Sequence, residues 1–155
     1  MMFPPVFEVA YQSNRVRDLL GTLPTRLYPF AEAPPDPEIP YAVWQLISGI
    51  PENFLNQVPD ADSWSVQLDI YASSAAQTRE VAKALRDAFE PVCHIIGWGF
   101  EGRDAETKLY RRSFDMDWIE RRVVFTVGLS GDQAGSLLLS GDQQITGRDK
   151  VVVNA

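Results

Sequence analysis

The sequence predicts an α+β fold: an antiparallel sheet of four to five strands, two helices packed on one of its faces, and a C-terminal β-arm. Three stretches carry that prediction. In residues 64–71, Trp64, Val66, Leu68 and Ile70 alternate with Ser65, Gln67, Asp69 and Tyr71. Period two, apolar on one face and mostly polar on the other, marks a half-buried antiparallel strand. Residues 109–118 repeat the pattern. Tyr110, Phe114, Met116 and Trp118 face one way, interrupted by Arg112, while Arg111, Ser113, Asp115 and Asp117 face the other. Between these stretches the period lengthens. Val81, Leu85 and Phe89 recur at i, i+4 and i+8, with Ala75, Ala82 and Ala88 beside them and Arg79, Glu80, Lys83, Arg86 and Asp87 pointing elsewhere. That is an amphipathic helix. Ser74 and Gln77 form a capping box at its start, and Pro91 ends it.

Taken in order, Pro4 and Pro5 precede a helix over residues 6–20, with Val6, Val9, Ala10, Val16, Leu19 and Leu20 as its stripe. Gly21 is its C-cap and Pro24 its stop. Residues 26–40 hold five prolines, which makes them an extended connection and not an element. Leu27, Tyr28 and Phe30 make that connection too apolar for a free linker, so they lie on the domain. Residues 41–48, YAVWQLIS, form a strand partly covered on each face. Residues 49–63 join it to the next strand, with Phe54 and Leu55 at the middle. Apolar residues at a loop tip more often fold back onto their domain; a partner interface is the alternative. Residues 93–100 and 109–118 pair as a hairpin around a polar turn at 102–108. Residues 123–129 are a further strand. SGDQ occurs at 130–133 and again at 140–143, each a turn, with short strands at 137–139 and 151–153. The core therefore spans residues 1–119 and the extension residues 120–155.

A chain of 155 residues is long enough for one domain with a substantial core. Its net charge of −7 argues against a sequence-independent grip on nucleic acid, which needs clustered Lys and Arg. An acidic surface still lets DNA pass nearby without sticking. Cys93 is the one cysteine, so no intrachain disulfide forms. The N-terminal residues lack the basic and apolar regions of a signal peptide. No apolar run approaches the ~20 residues of a membrane span.

Candidate chemistry is thin. Gly97, Gly99 and Gly102 match G-x-G-x-x-G, but that fingerprint needs a helix opening at the third glycine, and a polar turn follows instead. Cys93 and His94 are adjacent, so they point to opposite faces of a strand and cannot converge on a metal or a nucleophilic pair. Asp115 and Asp117, with Glu120 near, are paired carboxylates capable in principle of acid–base work. Arg111 on the same face and Arg121–Arg122 beyond favour a mixed-charge face or a subunit contact.

The elements follow a recognisable order. An N-terminal helix leads to RLYP at 26–29 and PYAVWQLISG at 40–49; VQLDIYA follows at 66–72, VAKALRDAF at 81–89 and ETKLYRRSFDMDW at 106–118. Over residues 5–119 this order and spacing resemble the tail-completion or tail-terminator family of long-tailed bacteriophages. The resemblance implies a virion protein that is not an enzyme and needs no cofactor. It implies six subunits closing a ring on the last ring of tail-tube protein. That ring stops tube growth and offers a docking surface to a head-side connector protein. It further implies assembly in the host cytoplasm, DNA passing through the lumen without specific binding, and no membrane partner. Such a ring needs heterologous contacts that close, and interleaved Arg and Asp supply register through charge complementarity. The candidate subunit or partner interface residues are Phe54, Leu55, Asp69, Arg103, Lys108, Arg111 and Asp115. The extension of residues 120–155 departs from the family, being longer than its core leads one to expect, and is expected to pair with a neighbouring subunit or tube ring by strand addition. Two other readings stay open: a different connector subunit, such as a head-completion or minor tail protein, and a small hydrolase using Asp115 and Asp117.

Overall fold

The computed structural model describes residues 3–122 and the backbone of Leu137–Leu139 and Gln143–Ile145. Two compact units divide the chain, Met1–Arg121 and Arg122–Ala155. The first holds three helices, α1 (Val6–Gln12), α2 (Asn14–Leu20) and α3 (Ala75–Phe89). Its strands are β1 (Leu27–Pro29), β2 (Tyr41–Pro51), β3 (Ala61–Ala72), β4 (His94–Arg103) and β5 (Tyr110–Arg121), in the sheet order β1-β2-β3-β5-β4. β1 runs parallel to β2, and the other neighbouring pairs are antiparallel. In the second unit, β6 (Leu137–Leu139) pairs antiparallel with β7 (Gln143–Ile145).

The predicted α+β class is the observed one, and its centre is the β3–β5 ladder. Twelve pairs run in unbroken register from Ala61↔Arg121 to Ala72↔Tyr110. This register lines up the two alternations. Val66 faces Met116 and Leu68 faces Phe114, and with Ile70 they bury completely on the helix side. Val6 and Ala10 of α1, Val16 and Leu20 of α2, and Val81, Leu85 and Phe89 of α3 close the same core. Each such side chain contributes roughly 1.5–3 kcal/mol by leaving water. Phe89 meets Trp118 edge to face, with ring centroids 5.9 Å apart.

The α3 cap is nearly the predicted one. Ser74 Oγ accepts from the Gln77 N–H at 3.1 Å, but the Gln77 side chain returns to Ser73, accepting from its N–H at 3.1 Å and its hydroxyl at 2.9 Å.

Four expectations change. The helix over residues 6–20 is two helices, because Ser13 turns extended (ψ 119°) and its side chain caps α2 through the Val16 N–H. The sheet is mixed. Residues 27–29 form a strand because their prolines stand at its end and after it, leaving the Ala42 N–H free to bond Arg26 O and the Phe30 N–H to bond Trp44 O, at 2.9 and 2.8 Å. Leu27 is buried, and Phe30, largely exposed, borders the open face of the sheet. The strands also run longer than predicted. β2 continues past a bulge between Leu46 and Ser48, and β4 continues through its glycines. Finally, β6 pairs with Gln143–Ile145; the expected strands at 123–129 and 151–153 lie outside the described residues.

Phe89→Ala should lower stability by about 3–5 kcal/mol, because a core ring leaves a cavity that cannot fully collapse. Ser74→Ala should cost only about 1 kcal/mol. Urea unfolding of both variants checks this, and equal losses would contradict the placement of the core.

Candidate assembly interface

The sheet has a second face, opposite the helices. On it Tyr41, Tyr71 and Arg111 share one level, Val43, Asp69 and Ser113 the next, and Gln45, Gln67 and Asp115 the next. These polar residues tie the strands to one another. Gln45 Nε2 donates to Gln67 Oε1 at 2.8 Å, and the Ser65 hydroxyl donates to Asp117 Oδ1 at 2.8 Å. The strongest tie is diagonal: Arg111 donates from Nε and Nη2 to Asp69 Oδ1 at 3.0 and 2.9 Å. Asp69 is only 8% exposed, so it is a buried ion-pair partner and not the solvated charge that strand alternation suggests.

Electrostatics follow from that burial. Loss of water pushes the Asp69 carboxyl above the ordinary carboxylate range; the Arg111 hydrogen bond and charge pull it back without cancelling the rise, and Asp115 and Asp104 add to it. Burial pulls Arg111 down, yet Asp69 outweighs it and holds the guanidinium charged. The two shifts suggest different net benefits from one pair. The deeper burial of the carboxylate accounts for the difference. Tyr71 stacks on Tyr41 at 4.9 Å and is pushed up to about 12, by burial first and by Asp69 next. Asp104 Oδ2 accepts from the Thr107 N–H and hydroxyl, both at 2.9 Å, which holds its carboxyl below the usual range and locks the β4–β5 turn. Phe30, Tyr71, Asp69, Asp104 and Arg111 border a groove of about 550 Å³ on this face.

Of the predicted interface residues, Asp69 and Arg111 are brought together, with Asp115 nearby on the same face. Arg103 lies at the Arg111 end of the sheet, its guanidinium 5.3 Å from the Tyr110 ring centroid. Lys108 sits in the β4–β5 turn with φ 61°. Phe54 and Leu55 stand apart, in the loop between β2 and β3. They do not fold back onto the domain: both are exposed, Leu55 fully.

Sequence reasoning missed Ile47, Ile50 and Ile119 near that loop and Ile96, Trp98 and Phe100 on β4, all exposed. Bulges at Leu46/Ser48, Ile95/Gly97 and Trp98/Glu101 break the alternation there, so the exposed phase could not be followed through them.

The chemical alternatives gain no geometry. Gly97, Gly99 and Gly102 are inside β4, with strand and turn after them. A side chain at Gly99 would meet Ser113 Oγ at 2.5 Å. Cys93 is buried and His94 exposed. Asp115 and Asp117 do not line the groove. Among the described residues, no group of three or more His, Cys, Asp and Glu could hold a metal ion.

Removing Arg111 leaves Asp69 buried without its counter-charge, so Arg111→Ala should cost about 3 kcal/mol at neutral pH. The sign with pH is fixed by direction. Asp69 has a folded pKa above its unfolded 3.8, so its contribution is most favourable below that value and falls as pH rises through the folded pKa. Acid therefore relieves the variant by protonating Asp69. Urea midpoints should show the gap to wild type narrowing between neutral pH and about pH 4; a constant gap would refute the buried pair.

The fold has counterparts. A chain from the virion of a native gene transfer agent particle superposes with a TM-score of 0.50 at 14% identity, covering 74% of this chain and 90% of that one. No curated protein matches the sequence. The profile of the family described as tail completion protein gp17 matches residues 4–121, which takes in every helix and strand of the first unit. The chain therefore belongs to the tail completion protein gp17 family, whose members are structural proteins of phage tails and not enzymes.

Proposed function

We propose that this chain is a tail terminator. Six copies close a ring on the last ring of tail-tube protein, end tube polymerisation and present the other side of the ring to a head-side connector protein. Assembly takes place in the host cytoplasm. The observation that supports this reading most is the run of residues 47–58, every one of them exposed. Ile47, Ile50, Phe54, Leu55 and Val58 stand in that run, and an apolar stretch of this kind on a folded surface marks a docking site. The tip, with Phe54 and Leu55, is the contact offered to the tube. Around the Asp69–Arg111 ion pair, the open face carries Asp104, Asp115 and Asp117. Turned toward a lumen, such a face repels phosphates and lets DNA slide. The β6–β7 hairpin belongs to the arm that adds a strand to a neighbouring subunit or tube ring.

Tube protein polymerised with and without this chain, viewed by electron microscopy, tests the reading. Wild-type chain should give tubes of limited length with rings at their ends. Leu55→Asp should abolish capping while leaving thermal unfolding unchanged, and a chain lacking residues 130–155 should cap weakly with its first unit still folded. Tubes growing without limit in excess wild-type chain would overturn the terminator role. Binding to portal-side proteins in place of tube ends would assign it to another connector position.

A further inference from the structure

The two lateral edges of the five-stranded sheet are unlike, and each carries exposed apolar side chains. On one edge, β1 covers β2 only at Ala42, Val43 and Trp44, and Phe30, Ile47 and Ile50 are more than half exposed. On the other, Val92, Ile96 and Trp98 of β4 and the turn before it are about half exposed. Among the described residues, no further strand pairs with the outer side of β4 or of β2 beyond Trp44. Resting on the ring reading above, we propose that the β4 edge of one copy packs against the β2 edge of the next, a head-to-tail contact between copies of this chain.

Strand direction fits this contact. β2 and β5 run one way, and β3 and β4 the other. A copy rotated about an axis along the strands keeps those directions, so its β4 meets β2 antiparallel. Level along the strands fits as well. The pairs Trp44↔Leu68, Leu68↔Phe114 and Phe114↔Trp98 form one row across the sheet. Pro29 pairs with Trp44, so Pro29 and Trp98 end that row on opposite edges, and Phe30 follows Pro29 one residue further along. The next row toward the β2–β3 loop runs Leu46, Val66, Met116, Ile95. Ile47 and Ile96, each the unpaired residue of a bulge, flank it. Val92, ahead of β4, falls on the side of Ile50. The two apolar sets thus follow the same order along the strands, offset by about one residue.

Charge selects this pairing over β2 against β2. Residues 47–60 include Glu52 and Asp60 and no Lys or Arg, so two such edges repel. On β4 the carboxylate of Glu101 is engaged by Arg79 at 2.7 Å and by Arg112 at 2.6 Å, which leaves the acidic edge no uncompensated carboxylate to face. The bulges determine the kind of contact. Phe100 turns its N–H inward to Ser113 Oγ at 2.7 Å, and neither edge presents a regular row of backbone donors and acceptors. The edges therefore meet through side chains and not by continuing the hydrogen-bond ladder. A contact of two different edges is heterologous, the kind that closes rings.

The test uses full-length Ile47→Cys and Ile96→Cys chains with a short bismaleimide; buried Cys93 is the internal control. The 1:1 mixture should give a crosslinked dimer that neither variant gives alone, and Ile47→Asp or Ile96→Asp should each abolish association in sedimentation velocity. Crosslinking of Ile96→Cys alone would mean a two-fold β4 contact and overturn the proposal. Wild-type chain that stays monomeric, or rings that persist in both Asp variants, would overturn it too. The tube assay keeps the two readings separate. Capping without the mixed crosslink leaves the terminator role standing and removes this contact; the mixed crosslink without capping does the reverse.

Discussion

The register between β3 and β5 is the constraint on which the rest of the structure depends. Side chains in a strand alternate faces, so a slip of one residue exchanges the two faces completely. In the observed register Val66, Leu68 and Ile70 join Phe114, Met116 and Trp118 beneath the helices. A slip of β5 would turn Arg111, Asp115 and Asp117 toward the helices instead. The same register that builds the core therefore also collects the charges on the opposite face.

Asp69 and Arg111 are a product of that segregation. Their diagonal bond joins β3 to β5, one rung away from the direct partners Ser113 and Tyr71. Burying the carboxylate costs desolvation, as its raised pKa records, so the pair is a poor source of net stability. It does penalise the wrong register, where the guanidinium would have to enter the apolar core. Charge on this face thus reinforces the alignment already set by the apolar rows.

Much of the fold was legible because its centre obeys simple periods. The alternations at 64–71 and 109–118 and the helical stripe through Val81, Leu85 and Phe89 survive unchanged in the structure. The break at Ser13 was not legible, since a serine inside an apolar stripe reads equally as a surface position until its ψ is known. β1 was hidden because prolines at 29, 34, 35, 37 and 40 suggest a connection, yet only Pro29 falls within the strand, as its last residue. The candidate assembly surfaces were the least legible part. Phe54 and Leu55 stood out, but the Ile47 and Ile96 bulges shift the phase of their strands, and an exposed isoleucine there cannot be told from a buried one by spacing. Asp69 was placed on the correct face but taken for a surface charge, because burial of a polar-face residue depends on the long side chain of Arg111 across the diagonal.

The core and the proposed assembly surfaces thus occupy different parts of one sheet: the helix-covered rows give stability, and the loop and lateral edges are the proposed contacts. Hydrogen exchange on the free chain and on the chain bound at tube ends separates these roles most directly. Binding should increase protection in residues 47–58 and 92–100, while the β3–β5 ladder, already protected in the free chain, changes little. Gains confined to α1, α2 and α3, with residues 47–58 and 92–100 unchanged, would contradict the account.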